Sequence, residues 1–289
     1  MKIKESELIL NPDGSVYHLN LKPENVSDTV LFVGDQDRVE KITKHFDDIE
    51  FSIQKREFKT QTGTYKGKRI TVLSTGIGPD NIDIVLNELD ALVNINLETR
   101  TLKDKPKSLK IIRIGTSGSL QPDIPVDSFV LGTHGLDLNG MLHFYKIDEV
   151  SNPNLENAFI KHTNWDTKKA RPIIINNSKE LEQIFEGDHI YKGITATAGG
   201  FYGPQGRVLR LPLQDPELNS KMDSFNYEGI RVSNLEMETS VIYGLSKLLG
   251  HQALSLNAII ANRANGSFSK DPGMVVENLI KYTLDKLVE

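Results

Sequence analysis

The feature that most constrains this chain is an alternation. Apolar runs of strand length recur at residues 30–33, 69–73, 111–114, 128–131, 172–175, 193–198, 230–234 and 253–261. Between several of them stand apolar residues at helical spacing, as in Ile82, Val85, Leu86, Leu89, Leu92 and Val93, and the same spacing closes the chain in Val275, Leu279, Ile280, Leu284 and Leu287. Runs that are apolar throughout suit strands covered on both faces, and helices between them supply the cover. The expected fold class is α/β: one domain over residues 1–289, with a central mixed, mostly parallel twisted sheet flanked by helices. No linker or internal repeat interrupts the pattern. Open α/β sheets bind ligands beyond the carboxyl ends of their strands, so the polar residues after each run are the candidate site.

Composition removes several chemistries. The chain has no cysteine, which excludes disulfides, thiol catalysis and thiolate-bound metals. The seven histidines fall in no metal-ligand spacing, and no nucleophile-elbow motif is present. A net charge of −5 without a basic block argues against a nucleic-acid partner. No apolar run approaches a membrane span, and no apolar leader follows the basic start. A cytoplasmic protein without a membrane partner is the expectation.

One run carries a charge. Arg113 sits inside Ile111-Ile112-Arg113-Ile114, ahead of Gly115-Thr116-Ser117-Gly118-Ser119, which is expected to form a turn. A buried ion is costly without a partner. The partner is either a distant carboxylate or a bound anion shared with backbone N–H groups. A second anion pocket is suggested by Gly34-Asp35-Gln36-Asp37-Arg38, between a strand and a helix expected from Val39 onward. Arg38, Arg56 and Arg113 together would suit a phosphate dianion. Phe201, Gln205 and Arg207 form another group: a ring to stack on, an amide that donates and accepts, and two parallel donors. That set suits a planar, amide-like heterocycle. Glu236 and Glu238 either accept from sugar hydroxyls or complement the start of the next helix. Residues 134–144 and 264–273 are expected to be loops, the latter mobile.

Taken in order and spacing, these segments resemble the uridine phosphorylase family of the hexameric-type nucleoside phosphorylase superfamily, over nearly the whole chain. The resemblance rests on Gly34 through Ile42, Arg56-Glu57-Phe58, Ser74-Thr75-Gly76-Ile77-Gly78, Arg113-Ile114-Gly115-Thr116, Phe201 through Arg207, Glu236-Met237-Glu238 and Asn262-Arg263. It implies reversible phosphorolysis of uridine to uracil and ribose 1-phosphate, in pyrimidine nucleoside salvage. It implies that phosphate, a co-substrate, meets Gly34, Arg38, Arg113 and Thr116, with Arg56 from a neighbouring subunit. Ribose would meet Thr116, Met237 and Glu238, with His18 from across the same interface. The base would meet Phe201, Gln205 and Arg207, with Arg263 nearby. Arg113, Arg207 and Glu238 would carry the catalysis. The resemblance also implies a homo-oligomer, hexamer or dimer, with active sites shared at a dimer interface, and no cofactor.

Related purine enzymes place an aspartate near the position of Asn262, and an amide there supplies no acidic proton. The expected branch is therefore pyrimidine. The alternatives are another nucleoside (deoxyuridine, thymidine or a purine) or a non-catalytic nucleoside-binding homologue. Two departures stand out. Asn81 replaces the serine with which bacterial relatives bind a monovalent cation near positions matching Glu57 and Ile77, so no metal is expected. The base loop reads Gly203-Pro204 rather than Pro-Gly.

Overall fold

The computed structural model describes residues 2–289. It contains β1 (Thr29–Val33), α1 (Gln36–Thr43), β2 (Asp48–Lys55), β3 (Phe58–Tyr65), β4 (Lys68–Ser74) and α2 (Pro79–Asn94). A small hairpin, β5 (Ile95–Asn96) with β6 (Thr101–Leu102), leads to β7 (Lys110–Ser119) and β8 (Phe129–Asp137). Then come α3 (Pro153–Thr163), β9 (Ile173–Asn176), α4 (Lys179–Phe185), β10 (Ile190–Thr197) and α5 (Leu218–Asp223). The chain ends with β11 (Asn226–Tyr227), β12 (Ile230–Glu236), α6 (Thr239–Leu248), β13 (Gln252–Asn262), β14 (Ser267–Phe268) and α7 (Pro272–Val288).

The main sheet is mixed. Its middle is parallel: β4–β1–β7–β13 on one side and β8–β10–β12 on the other. β13 and β8 join these halves antiparallel. The β2–β3–β4 edge is built of antiparallel hairpins. β12 also turns back onto β7, pairing Asn234 with Ser119 and Leu235 with Gly118. This closes β7, β13, β8, β10 and β12 into a ring.

Both faces of the middle strands are buried. In β1, Val30 and Phe32 join the core under α2 and α6, while Leu31 and Val33 join the core under α1 and α7. Alternate residues of a strand point to opposite faces, so a continuous apolar run fills two cores at once. α2 contributes Val85 and Leu89 to the first, and α7 contributes Leu279 and Ile280 to the second. A third cluster packs α3 and α5 against the far side of the ring through Phe159, Met222 and Phe225.

Four expected boundaries move. Residues 115–119 are strand, not turn: β7 runs through them in register with β13. Gly115 serves close side-chain approach rather than a reversal. Residues 134–137 likewise extend β8, paired with both β9 and β10. α1 begins at Gln36 because the Asp35 side chain caps it, accepting from the Asp37 N–H at 3.0 Å. The loop at 264–273 contains β14, which pairs Ser267 and Phe268 with Asn262 and Ala261 of β13.

Candidate active site

A cavity of about 880 Å³ opens where the parallel strands end. Gly34 after β1, Gly76 after β4, Thr116 of β7, Glu236 of β12 and Ala261 of β13 all border it. A second cavity, about 350 Å³, lies at the opposite end of β13 beside His251 and Gln252 and contains no arginine.

Arg113 forms the floor of the larger cavity. It is buried, and its guanidinium has three protein partners. Nη2 donates to Glu238 Oε2 at 2.5 Å and lies 3.3 Å from Glu236 Oε2. Nη1 donates to Asn257 Oδ1 at 2.9 Å. Burial alone would push Arg113 down, but Glu236 and Glu238 outweigh it and hold the guanidinium above its ordinary range. The distant-carboxylate reading of this charge is thus borne out, and the same side chain still borders the cavity.

The two carboxylates differ. Glu236 points into the protein, accepting from the Thr197 hydroxyl at 2.8 Å and from the Glu238 and Thr239 N–H groups at 3.0 Å. It fixes the step from β12 into α6. Burial pushes its carboxyl up, and Arg113 opposes that shift. Glu238 is held by the Arg113 bond and by the Gly78 N–H, which donates to Oε1 at 2.8 Å. Each oxygen of Glu238 therefore keeps a further lone pair for a hydroxyl donor.

Arg38 stands at the cavity wall with one bond to protein, from Nη1 to the Ile114 carbonyl at 3.3 Å. Burial and the neighbouring Arg113 lower its affinity for its proton. Two guanidiniums that repel each other, one with most of its N–H groups unspent, have the chemistry to hold an anion. Gly34 and Thr116 border the same cavity.

At the other end, Gln205 is almost fully buried, and Phe201 is half exposed. The Arg207 guanidinium stacks 3.9 Å from the centroid of the Phe201 ring. Its Nη1 donates to Gln205 Oε1 at 2.5 Å and to the Phe201 carbonyl at 2.6 Å. Burial lowers the Arg207 proton affinity, and no carboxylate pairs with it among the described residues. Arg263 does not border the cavity. It donates to the backbone carbonyls of Gln205 and Gly206, so it shapes the loop at 201–207.

His18 and Arg56 also lie outside the cavity formed by their own chain. His18 Nδ1 is 2.6 Å from Glu88, whose carboxylate also accepts the His18 and Leu19 N–H groups. Arg56 is exposed at the β2–β3 turn with φ +56° and lies over the Tyr17 ring. Met237, Glu57, Ile77 and Asn81 do border the cavity. Asn262 does not: its amide donates to the Gln121 and Ile124 carbonyls, both at 2.9 Å, and its oxygen accepts from Ala264 N–H. Among the described residues, no three His, Asp or Glu side chains converge as a metal cluster.

Two residues escaped sequence reasoning. Phe268, on β14, is exposed and lines the cavity. A lone aromatic in a small polar loop was the available signal. Asn257, fully buried in β13, was as visible as Arg113: one polar side chain in an apolar run.

The model of the phosphorylase superfamily matches residues 28–286. The chain belongs to that superfamily. A uridine phosphorylase of Thermococcus kodakarensis is 30% identical over 276 residues, covering 93% of this chain and 85% of the relative. A DeoD-type purine nucleoside phosphorylase of Colwellia psychrerythraea is 25% identical over 276 residues, covering 94% of this chain and 98% of that one. In three dimensions the chain resembles a Trypanosoma brucei nucleoside phosphorylase described as having uridine phosphorylase activity. The TM-score is 0.88 at 29% identity, over 97% of this chain and 99% of the other. The protein is an enzyme of the nucleoside phosphorylase class, a pentosyltransferase.

Proposed function

We propose that this enzyme catalyses the reversible phosphorolysis of uridine to uracil and ribose 1-phosphate. The observation that carries the reading is one cavity with a cationic corner, Arg38 and Arg113, at one end and the Gln205–Arg207 pair at the other. Glu238 lies against the first, where ribose hydroxyls would donate to it. The Gln205 amide and the Arg207 guanidinium match the alternating N–H and C=O groups of a pyrimidine edge.

The chemistry needs no covalent intermediate, and phosphate serves as co-substrate without a cofactor. A phosphate oxygen forms a bond to the anomeric carbon as the glycosidic C–N bond breaks, and the electron pair leaves on the base. Positive charge then develops on the sugar and negative charge on uracil. Arg113 and Arg38 hold the nucleophile, and Glu238 faces the sugar. Arg207 and Gln205 stabilise the departing anion, an electrostatic contribution prepared before reaction. Arg207 now spends a hydrogen bond on Gln205, so base binding requires it to exchange that partner for the substrate.

We also propose a homo-oligomer whose sites are shared. Supporting it, Arg56 and His18 do not border the cavity of their own chain, and the exposed Arg56 has no carboxylate partner among the described residues. A purine substrate is the competing reading, given the DeoD-type relatives. Against it, Asn262 offers no acidic proton and spends both amide hydrogens on backbone carbonyls.

The test is uracil release from uridine with and without phosphate, beside inosine as competitor. Phosphate-dependent release from uridine is expected. Release without phosphate would identify a hydrolase, and preferential cleavage of inosine would move the enzyme to the purine branch.

A further inference from the structure

Arg113 reaches the cavity by lying forward along its own strand. A Cβ built on Gly115 would stand 1.8 Å from Arg113 Nη1, so the guanidinium occupies the space that a side chain at 115 would fill. On the adjacent strand, Asn257 is in register with Gly115. Its Oδ1 accepts from Arg113 Nη1 at 2.9 Å, and its Nδ2 donates to Ser255 Oγ at 3.2 Å. Ser255 Oγ accepts in turn from the Thr239 hydroxyl at 2.8 Å. The Thr239 N–H donates to Glu236, which lies 3.3 Å from Arg113 Nη2. The circuit is closed: Arg113, Asn257, Ser255, Thr239, Glu236 and back to Arg113.

Asn257 and Ser255 are fully buried, and neither borders the cavity. A buried amide costs free energy unless its groups are paired, and here each pairing serves the guanidinium or its support. The amide cannot be reversed, because a guanidinium only donates.

We propose that Asn257 is a positioning residue for the phosphate step. By taking one N–H of Nη1, it sets the plane of the Arg113 guanidinium. Nη2 then meets Glu238, and the unspent N–H groups stay directed at the anion corner beside Arg38. Asn257 thereby keeps Glu238 from drawing Arg113 wholly to the sugar side. The inference rests on the proposed role of Arg113 as a phosphate ligand.

The experiment is a double-mutant cycle of Asn257→Leu and Arg113→Lys, read as KM for phosphate, KM for uridine and kcat. Asn257→Leu should raise KM for phosphate about tenfold or more, the scale of losing one bond to a charged group. KM for uridine should move less than threefold. In the Arg113→Lys background the same change should have little further effect, because a lysine lacks the fork that Asn257 orients. Melting temperature confirms folding, and Asn257→Asp, which keeps the acceptor and the shape, supplies a second folded variant. It should keep kcat closer to the wild type than Asn257→Leu does. Additive effects, or equal losses for phosphate and uridine, would assign Asn257 to packing alone and overturn the proposal. If Arg113→Lys leaves KM for phosphate unchanged, the phosphate role of Arg113 fails as well. If it raises that constant while Asn257→Leu behaves as wild type, only the inference about Asn257 fails.

Discussion

The guanidinium of Arg113 lies over the backbone of Gly115, two residues further along the same strand, where no side chain can coexist with it. A residue with no Cβ inside a strand weakens the strand, and here that weakness is exchanged for a cation placed at the cavity floor. Gly115→Ala should therefore displace Arg113 rather than merely tighten the packing. We expect kcat/KM for phosphorolysis to fall by about 10²-fold, the scale of losing one oriented charge-stabilising group. Melting temperature should drop as well, since Glu236 and Glu238 lose a close cation. Steady-state kinetics and thermal unfolding of the variant check both outcomes.

Arg207 tests the other end of the cavity. It stacks on Phe201 and bonds Gln205, and it has no carboxylate partner among the described residues. Arg207→Ala should reduce kcat on uridine by roughly 10²-fold while leaving KM for phosphate near its original value. The expected separation follows from the distinct ends of the cavity at which Arg207 and Arg38 stand. A variant that retained near-full kcat would remove Arg207 from leaving-group stabilisation.

The proposed sharing of sites between subunits makes a prediction that one chain alone cannot satisfy. Arg56→Ala and Arg38→Ala should each impair phosphate use, although Arg56 does not border the cavity of its own chain. In a mixed pair, one site would carry both lesions and the other neither. Co-refolded or co-expressed mixtures should regain activity above the sum of the separate variants. Mixed oligomers that show no recovery would speak against a site completed by Arg56 of the partner.

A buried histidine sets an acid limit on stability. His134 sits in β8, where burial and the nearby Lys179 push its pKa from 6.5 to about 4. Its folded value is depressed, so the neutral ring is compatible with folding above pH 6.5. As pH falls from 6.5 towards 4, the unfolded chain takes up a proton that the folded chain refuses. Stability is then lost across that window, by on the order of 3 kcal/mol for this group. Urea midpoints measured from pH 7 to pH 4 should fall, and His134→Asn should flatten the slope. An unchanged slope would show that other groups govern acid unfolding.

Much of the fold was legible before any coordinates. Continuous apolar runs such as residues 30–33 announce strands with two buried faces, and Val30, Leu31, Phe32 and Val33 divide between two cores as that pattern requires. Helical stripes such as Val85, Leu86 and Leu89 mark their own buried faces. Two of the moved boundaries share one cause. Glycines at 115 and 118, and His134, Gly135 and Asp137, signal a turn or loop when only local conformational freedom is weighed. In the folded chain Gly115 accommodates the Arg113 side chain, and Gly135 abuts the Ser240 backbone. These are requirements of space, which arise only once distant segments meet.

The residue types by themselves determined the class of fold and the list of groups able to hold an anion and a flat, polar ring. Periodicity and side-chain chemistry are properties of short segments and survive without a third dimension. What they left open was association. Only the tertiary structure decided that Arg113 pairs with Glu238, 125 residues away, and leans on Asn257, 144 residues away. It also decided that Asn262 turns from the cavity, whereas Phe268 lines it. The reason is physical: a buried charge takes whichever partners the sheet register brings within bonding distance, and register is fixed by the packing of the whole sheet.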